Sequence, residues 1–240
     1  MKTLSILGIL LAYPEEEMIA ALPEARAMLA AEGHLPAGQL EALSGLMQWM
    51  SACDPLDLQE EYVSLFDRTP SLCLNLFEHV HGDSRDRGQA LVDLDTLYRE
   101  AGLQNISEQT PDYLPMFLEY LSLRSPEQAR DDLGGAIDVI AAIGKRLAQR
   151  ESPYAALFAA LEALAGRRPD MAAVSGALEA KSGAAVTNEE MDKVWEEQFA
   201  LRAPVAGDDG CPKAKEMLAR MNEPLNEHVN ERGGRRSEEH

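Results

Sequence analysis

The sequence predicts an all-α fold, a single helical bundle. Three observations carry this. No alternating β-branched run of strand length stands out in the 240 residues. Helix start and stop signals recur along most of the chain, as Asp-Pro, Ser-Pro and well-placed glycines. From Ala129 to Leu147 the residues Ala129, Leu133, Ala136, Ile140, Ile143 and Leu147 step by 4, 3, 4, 3, 4, the period of one helical face. Ordinary helix lengths divide such a chain into roughly eight to ten helices. No repeat at a fixed period is visible.

Taken in order, an apolar run from Leu4 to Ala12 forms a first helix that Pro14 ends. Met18, Leu22, Ala25 and Leu29 keep helical spacing, Pro23 is expected to break or kink them, and Gly33 stops the segment. Leu40, Leu43, Met47 and Met50 form the next core stripe. Asp54-Pro55 is a strong start, because Asp accepts free backbone N–H groups and Pro tolerates the first helical position. Leu58, Tyr62 and Leu65 follow on one face, and Thr69-Pro70 closes the helix. Ser71 to Val80 reads two ways. Leu72, Leu74 and Leu76 alternate as in a strand, while Cys73, Leu76, Phe77 and Val80 fit a helix, and helix or irregular loop is preferred.

Gly82-Asp83-Ser84 is a turn before a helix bearing Leu91, Leu94, Tyr98 and Ala101, stopped by Gly102. Thr110-Pro111 and Pro115 give a stiff, extended approach to a helix over Met116 to Leu123. Ser125-Pro126-Glu127-Gln128 is a capping box in front of the long striped helix. Ser152-Pro153 is expected to cap a helix with Tyr154, Leu157, Leu161 and Leu164 that Gly166 ends. A short helix fits Asp170 to Ala180, and Thr187-Asn188-Glu189-Glu190 forms a second capping box leading to Trp195 and Phe199. The expected organisation is a helical domain over 1–202 and a polar, flexible tail over 203–240.

Composition narrows the function. A formal charge of −19 and a pI near 4.6 repel phosphate, so nucleic acid and anionic lipid are poor partners and a basic peptide is a good one. The acidity is not confined to the tail: the first 67 residues carry 11 Asp and Glu against Lys2 and Arg26, a net of −9. Cys53, Cys73 and Cys211 are widely spaced with no C-x-x-C, which argues against a disulfide framework or a zinc or iron–sulfur site and for a reducing cytoplasm. The N-terminal run mimics a signal peptide, but Pro14 and three glutamates follow it without a cleavage motif, so a buried helix is the better reading. Nothing reaches the ~20 apolar residues of a membrane span.

His79-Val80-His81-Gly82-Asp83 is the most enzyme-like string. Two histidines and an aspartate could serve a metal-dependent hydrolase. On a helix, however, positions i and i+2 point about 200° apart, so both rings cannot face one ion. Gly82-Asp83-Ser84 lacks the second glycine of a nucleophile elbow. No catalytic residue and no metal ligand is assigned. Asp83, Arg85, Asp86 and Arg87 form a mixed-charge cluster, read as caps and surface ion pairs or as arginines ordering the loop against Glu78 or Asp67. Tyr62, Phe66, Leu72, Leu76, Phe77, Tyr113, Phe117 and Tyr120 concentrate apolar and aromatic mass in a chain with only 5% aromatics. They are core, or the lining of a groove for an amphipathic helix, or both.

The strings DPLDLQEEYVSLFDR, LFEHVHGDSRDRGQALVDL and PDYLPMFLEYL resemble the NarJ group of nitrate reductase assembly chaperones, within the redox-enzyme maturation proteins. The likeness extends to the leading LLAYP, to QRESPYAALF and to VWEEQF, spanning roughly Leu4 to Phe199. The resemblance implies a single all-helical, non-catalytic cytoplasmic protein without a cofactor of its own. It implies binding to the N-terminal peptide of the molybdenum-containing catalytic (alpha) subunit of nitrate reductase, until the molybdenum cofactor is inserted and before membrane anchoring. Molybdenum cofactor biosynthesis proteins are further implied partners; nucleic acid and membrane insertion are not. A chaperone of the same family for another molybdoenzyme is the nearest alternative. Candidate peptide-binding residues are Tyr62, Phe66, Asp67, Leu76, Phe77, His79, His81, Arg85, Arg87, Tyr113, Pro115, Glu119 and Tyr120. Asp67 and Glu119 are the expected partners of a basic side chain, and Gly82 and Gly88 read as backbone devices.

Overall fold

A computed structural model describes residues 1–80, 85–104 and 109–180. Among these residues there are ten α-helices, one π turn and a single isolated β-bridge. The helices are α1 (Lys2–Leu10), α2 (Glu16–Glu32), α3 (Ala37–Ala52), α4 (Pro55–Tyr62), α5 (Leu76–Val80), α6 (Arg85–Glu100), α7 (Leu114–Leu123), α8 (Pro126–Gln149), α9 (Ala155–Leu164) and α10 (Met171–Ala180). The all-α expectation holds. The 202/203 boundary, the second capping box, Trp195 and Phe199 lie outside the described residues.

The long helix α8 is the hub. Ser125 caps it, its hydroxyl accepting from the Gln128 N–H at 3.3 Å. Leu133, Ile137, Ile140, Ile143 and Leu147 are fully buried, each stabilising by roughly 1.5–3 kcal/mol through removal from water. Around α8 pack α5, α7, α9 and α10; α3 joins α9 to α2, and α1 lies between α2 and α7. Two helix pairs approach closely through glycine. A Cβ on Gly144 of α8 would stand 2.7 Å from the Cβ of Phe158 on α9. A Cβ on Gly8 of α1 would stand 3.0 Å from the Pro115 carbonyl oxygen at the start of α7.

Capping follows the sequence at α4, where the Asp54 carboxylate accepts from the Leu56 N–H at 2.9 Å. Gly33 ends α2 in the left-handed region at φ 65°, a conformation that favours glycine. At α1 the cap comes from a distance. The Glu32 carboxylate accepts from the backbone N–H groups of Lys2 and Thr3 at 3.1 and 2.7 Å, and from the buried Thr3 hydroxyl at 2.6 Å. Burial alone would raise the Glu32 carboxyl, but these hydrogen bonds outweigh it and hold the group below its ordinary value.

Three expectations need correction. Pro23 does not break α2, which runs unbroken from Glu16 to Glu32. Pro23 is exposed, so the Ile19 carbonyl that loses its N–H donor is left within reach of water. Ser152 does not cap α9: the helix begins at Ala155 after Tyr154, and the buried Ser152 hydroxyl has no hydrogen-bond partner. Ser71 to Val80 is neither all helix nor all loop. Asn75 pairs with Tyr113 as an antiparallel bridge, through Leu76 N–H to Asp112 O at 3.0 Å and Leu114 N–H to Leu74 O at 2.9 Å. Only then does α5 begin. The alternation of leucines marked that bridge.

A small satellite core joins α10 to α8 through Val174, Ala141 and Ala142. Asp138 of α8 holds the approach to α10, accepting from Arg167 at 2.7 Å and from the Asp170 N–H at 2.7 Å. Arg146, also on α8, is buried rather than placed at the surface. Its guanidinium donates to the carbonyls of Ser71 and Ala177, so it ties the turn before the bridge to α10. Burial lowers its pKa.

Candidate functional site: an apolar cleft between α1 and α7

Helix α1 turns Ser5, Gly8 and Ile9 to one side, the i, i+3, i+4 spacing of one face, and Ala12 just past its end joins them. Opposite stand Pro115, Met116 and Glu119 of α7, with Tyr113 just before it. Tyr98 and Leu103, from the end of α6 and the turn after it, complete the walls with Gln104 and Gln109. The cleft between them has a volume of about 420 Å³, within the usual range of ligand pockets, roughly 300–1,000 Å³. Its lining is mainly apolar, and among the described residues Glu119 is the one charged residue on it. The small side chains of α1 leave the space, and Gly8 lets the backbones of α1 and α7 meet beneath it.

A hydrogen-bonded chain fixes the deep end. The Tyr62 hydroxyl lies 2.9 Å from the Leu11 carbonyl and 3.0 Å from the Tyr113 hydroxyl. A carbonyl can only accept, so Tyr62 donates to Leu11 and Tyr113 donates to Tyr62. Burial raises both phenols, keeping them neutral donors. Tyr13, 43% exposed, sets its ring edge-on to Tyr62 at 5.6 Å. Asp67 ends the π turn Val63–Asp67 that continues α4. It is exposed as a residue, yet its carboxyl is partly withdrawn from water, which raises its pKa.

Asp112 anchors the segment that carries Tyr113. It is fully buried, and its carboxylate accepts from Asn75, Thr110 and the Phe77 N–H. Helix α6 hangs on this same segment. Tyr98 is buried, donating its hydroxyl to the Pro111 carbonyl at 2.8 Å and packing its ring 5.0 Å from Tyr120. Val92 and Leu97, farther out on α6, are 60% and 47% exposed.

The sequence-derived residues therefore separate into three groups. Tyr113, Pro115 and Glu119 line the cleft. Tyr62, Phe66, Leu76 and Tyr120 are buried in the core, where Phe66 meets Tyr154 edge-on at 5.2 Å. Phe77, His79 and Arg87 belong to a second cluster around α5. There Arg87 pairs with Glu78 at 3.0 Å, and His79 Nε2 lies 2.8 Å from the Cys73 carbonyl. Of the two acids weighed against the arginines, Glu78 is the one the structure pairs with Arg87. Arg85 opens α6, and His81 and Asp83 lie outside the described residues. Among the described residues no three His, Cys, Asp or Glu side chains are grouped to hold a metal ion, and no helix is long and apolar enough to cross a membrane.

Sequence reasoning missed the α1 wall. Leu4 to Ala12 is apolar on most sides, so periodicity could not say that Ile9, 52% exposed, faces outward. The signal available was steric: Ser5, Gly8 and Ala12 form a narrow face that a neighbour can approach.

Comparison with known proteins places the chain. The family model described as nitrate reductase delta subunit matches residues 32–160, just over half of the chain. The protein named "Nitrate reductase molybdenum cofactor assembly chaperone NarJ" from Escherichia coli (strain K12) is 39% identical over 208 residues, covering 87% of this chain and 86% of its own length. A second protein of that strain, named as a NarW chaperone of the same kind, is 37% identical over 198 residues, with 82% of each covered. A crystallised protein from Archaeoglobus fulgidus, described as a candidate redox enzyme maturation protein, is 25% identical, with 66% of this chain and 88% of that one covered and a TM-score of 0.49. The extent and identity of the NarJ and NarW matches, with the family model across the middle of the chain, establish that the protein belongs to the nitrate reductase delta subunit family.

Proposed function

We propose that this protein is a system-specific assembly chaperone for nitrate reductase. It works in the cytoplasm by binding rather than by catalysis. It takes up the N-terminal segment of the molybdenum-containing catalytic subunit and holds that subunit for molybdenum cofactor insertion, before membrane anchoring. It is not part of the finished enzyme. The names of its relatives support the chaperone role.

The observation that carries the peptide-binding reading is the cleft between α1 and α7. It is mainly apolar, open to solvent, and among the described residues charged by Glu119. An amphipathic helix can place an apolar face there and a basic side chain against the glutamate. The net charge of −19 draws such a segment in. The same surface is a poor host for an anionic pterin phosphate, so cofactor delivery runs through separate cofactor-biosynthesis proteins. A hydrolase built on His79, His81 and Asp83 is disfavoured, since His79 directs Nε2 to a backbone carbonyl.

The test is isothermal titration with a synthetic peptide of the catalytic subunit's first ~15 residues, a few helical turns, at two salt concentrations. Saturable one-site binding that weakens with salt is expected, and Glu119→Lys should weaken it about tenfold. Absence of binding at both salts would overturn the peptide-binding reading.

A further inference from the structure

Ile9 belongs to two clefts. On its other side, α1 turns Ile6, Ile9 and Leu10 toward α2, where Met18, Ala25 and Met28 face them across a second cleft of about 130 Å³. Among the described residues the lining of this cleft is apolar apart from one charged residue, Glu24. Two largely apolar clefts thus flank one exposed isoleucine, and among the described residues each has a single charge, a glutamate. Resting on the chaperone reading above, the geometry points to the α1/α2 cleft as a second docking site for the same basic amphipathic client helix, which crosses α1 over Ile9 and anchors on both sides.

The spacing suits one helix. The clefts lie on either side of a single helix, so their centres are separated by about one helix diameter, roughly 10 Å. Two turns of a client helix rise about the same distance, so apolar residues at i and i+7 reach both clefts. Glu119 on one flank and Glu24 on the other face the client from both sides. The charge therefore selects a segment with basic residues near both apolar anchors and rejects one with acidic residues there. The methionines on both flanks, Met116 in the first cleft and Met18 and Met28 in the second, are flexible enough to mould to a partner.

The methionines also supply the test. The full chain, labelled at its methionine methyl groups with ¹³C, is titrated with the synthetic N-terminal peptide and followed by NMR, alongside calorimetry on wild type and Glu24→Lys. Glu24 is exposed, so this variant keeps the fold. The methyls of Met116, Met18 and Met28 should all shift on saturation, while the buried Met47 and Met50 stay fixed. Glu24→Lys should bind about threefold to tenfold more weakly. The proposal requires both responses. A shift of Met116 alone, with Glu24→Lys binding as wild type, would overturn the second site and leave the chaperone reading standing. Heat of binding with none of the three methyls moving would place the client elsewhere and overturn it too. No binding at all would remove both readings together.

Discussion

Two helix pairs in this molecule meet through a glycine, and they end differently. At α8/α9 the space above Gly144 is filled by Phe158, which is fully buried. At α1/α7 the atom above Gly8 is a backbone carbonyl, and the flanking Ser5 and Ala12 are too small to fill the space beside it. The same device, a missing side chain, seals one interface and leaves a cleft at the other. The sealed interface lies beside the hub helix, and the open one lies at the edge carrying Tyr113 and Glu119. With the client in the α1/α7 cleft as proposed, stability and binding would fall to separate helix pairs, as expected where a preformed site rests on a rigid scaffold.

The largest break in this comparison comes from emptying the sealed side. Phe158→Ala should cost about 3–5 kcal/mol, read as a fall in the urea midpoint. Gly8→Ala, on the open side, should cost about 1–2 kcal/mol by pushing α1 off the Pro115 carbonyl. It should also change peptide affinity, because the cleft walls move; calorimetry with unchanged affinity would separate the cleft from the client. Tyr98→Phe removes the donor to the Pro111 carbonyl and should cost about 1 kcal/mol. Hydrogen exchange should then speed up in α6 and stay unchanged in α8, sharpening the contrast between a hung helix and a packed one.

The smallest effect concerns the base of α1. Glu32→Ala removes the remote cap and should cost about 0.5–1 kcal/mol at neutral pH. The Glu32 carboxyl is held below its ordinary value of 4.5. Its contribution is therefore complete above that value and is lost as pH falls through the lower, folded-state value. Stability curves of wild type and variant should run parallel above about pH 5 and converge in acid. Parallel curves throughout would show that the carboxylate's charge plays no part.

Much of the scaffold was legible in local chemistry. Asp54-Pro55, Ser125-Pro126 and Gly33 act as their side chains or lack of one dictate, and the stripe from Ala129 to Leu147 defined the hub. Where local rules failed, neighbours decided. Pro23 is tolerated because it sits on an exposed face, and α9 starts only at Ala155, after the buried Tyr154, which leaves Ser152 outside the cap position. The candidate cleft was half legible. Tyr113, Pro115 and Glu119 could be named from the α7 side, whereas the α1 wall depends on which part of a largely apolar helix its neighbours leave uncovered. The clustered aromatics also divided in a way no spacing reveals, with Tyr62, Phe66 and Tyr120 turned inward and Tyr113 turned to the cleft.

Arg146 has a consequence for how the chain is made. Its guanidinium is satisfied by a carbonyl 75 residues earlier and another 31 residues later. During synthesis the earlier partner is already present when Arg146 emerges, but the later one is not. Until Ala177 has left the ribosome, a cation in the last turn of the hub helix faces water or an unmet carbonyl position. The hub can close on its N-terminal side while the chain grows, yet it stays ajar at α8 until α10 arrives. The order of translation thus becomes an order of locking, with the last turn of the key held by a short helix near the end of the described chain.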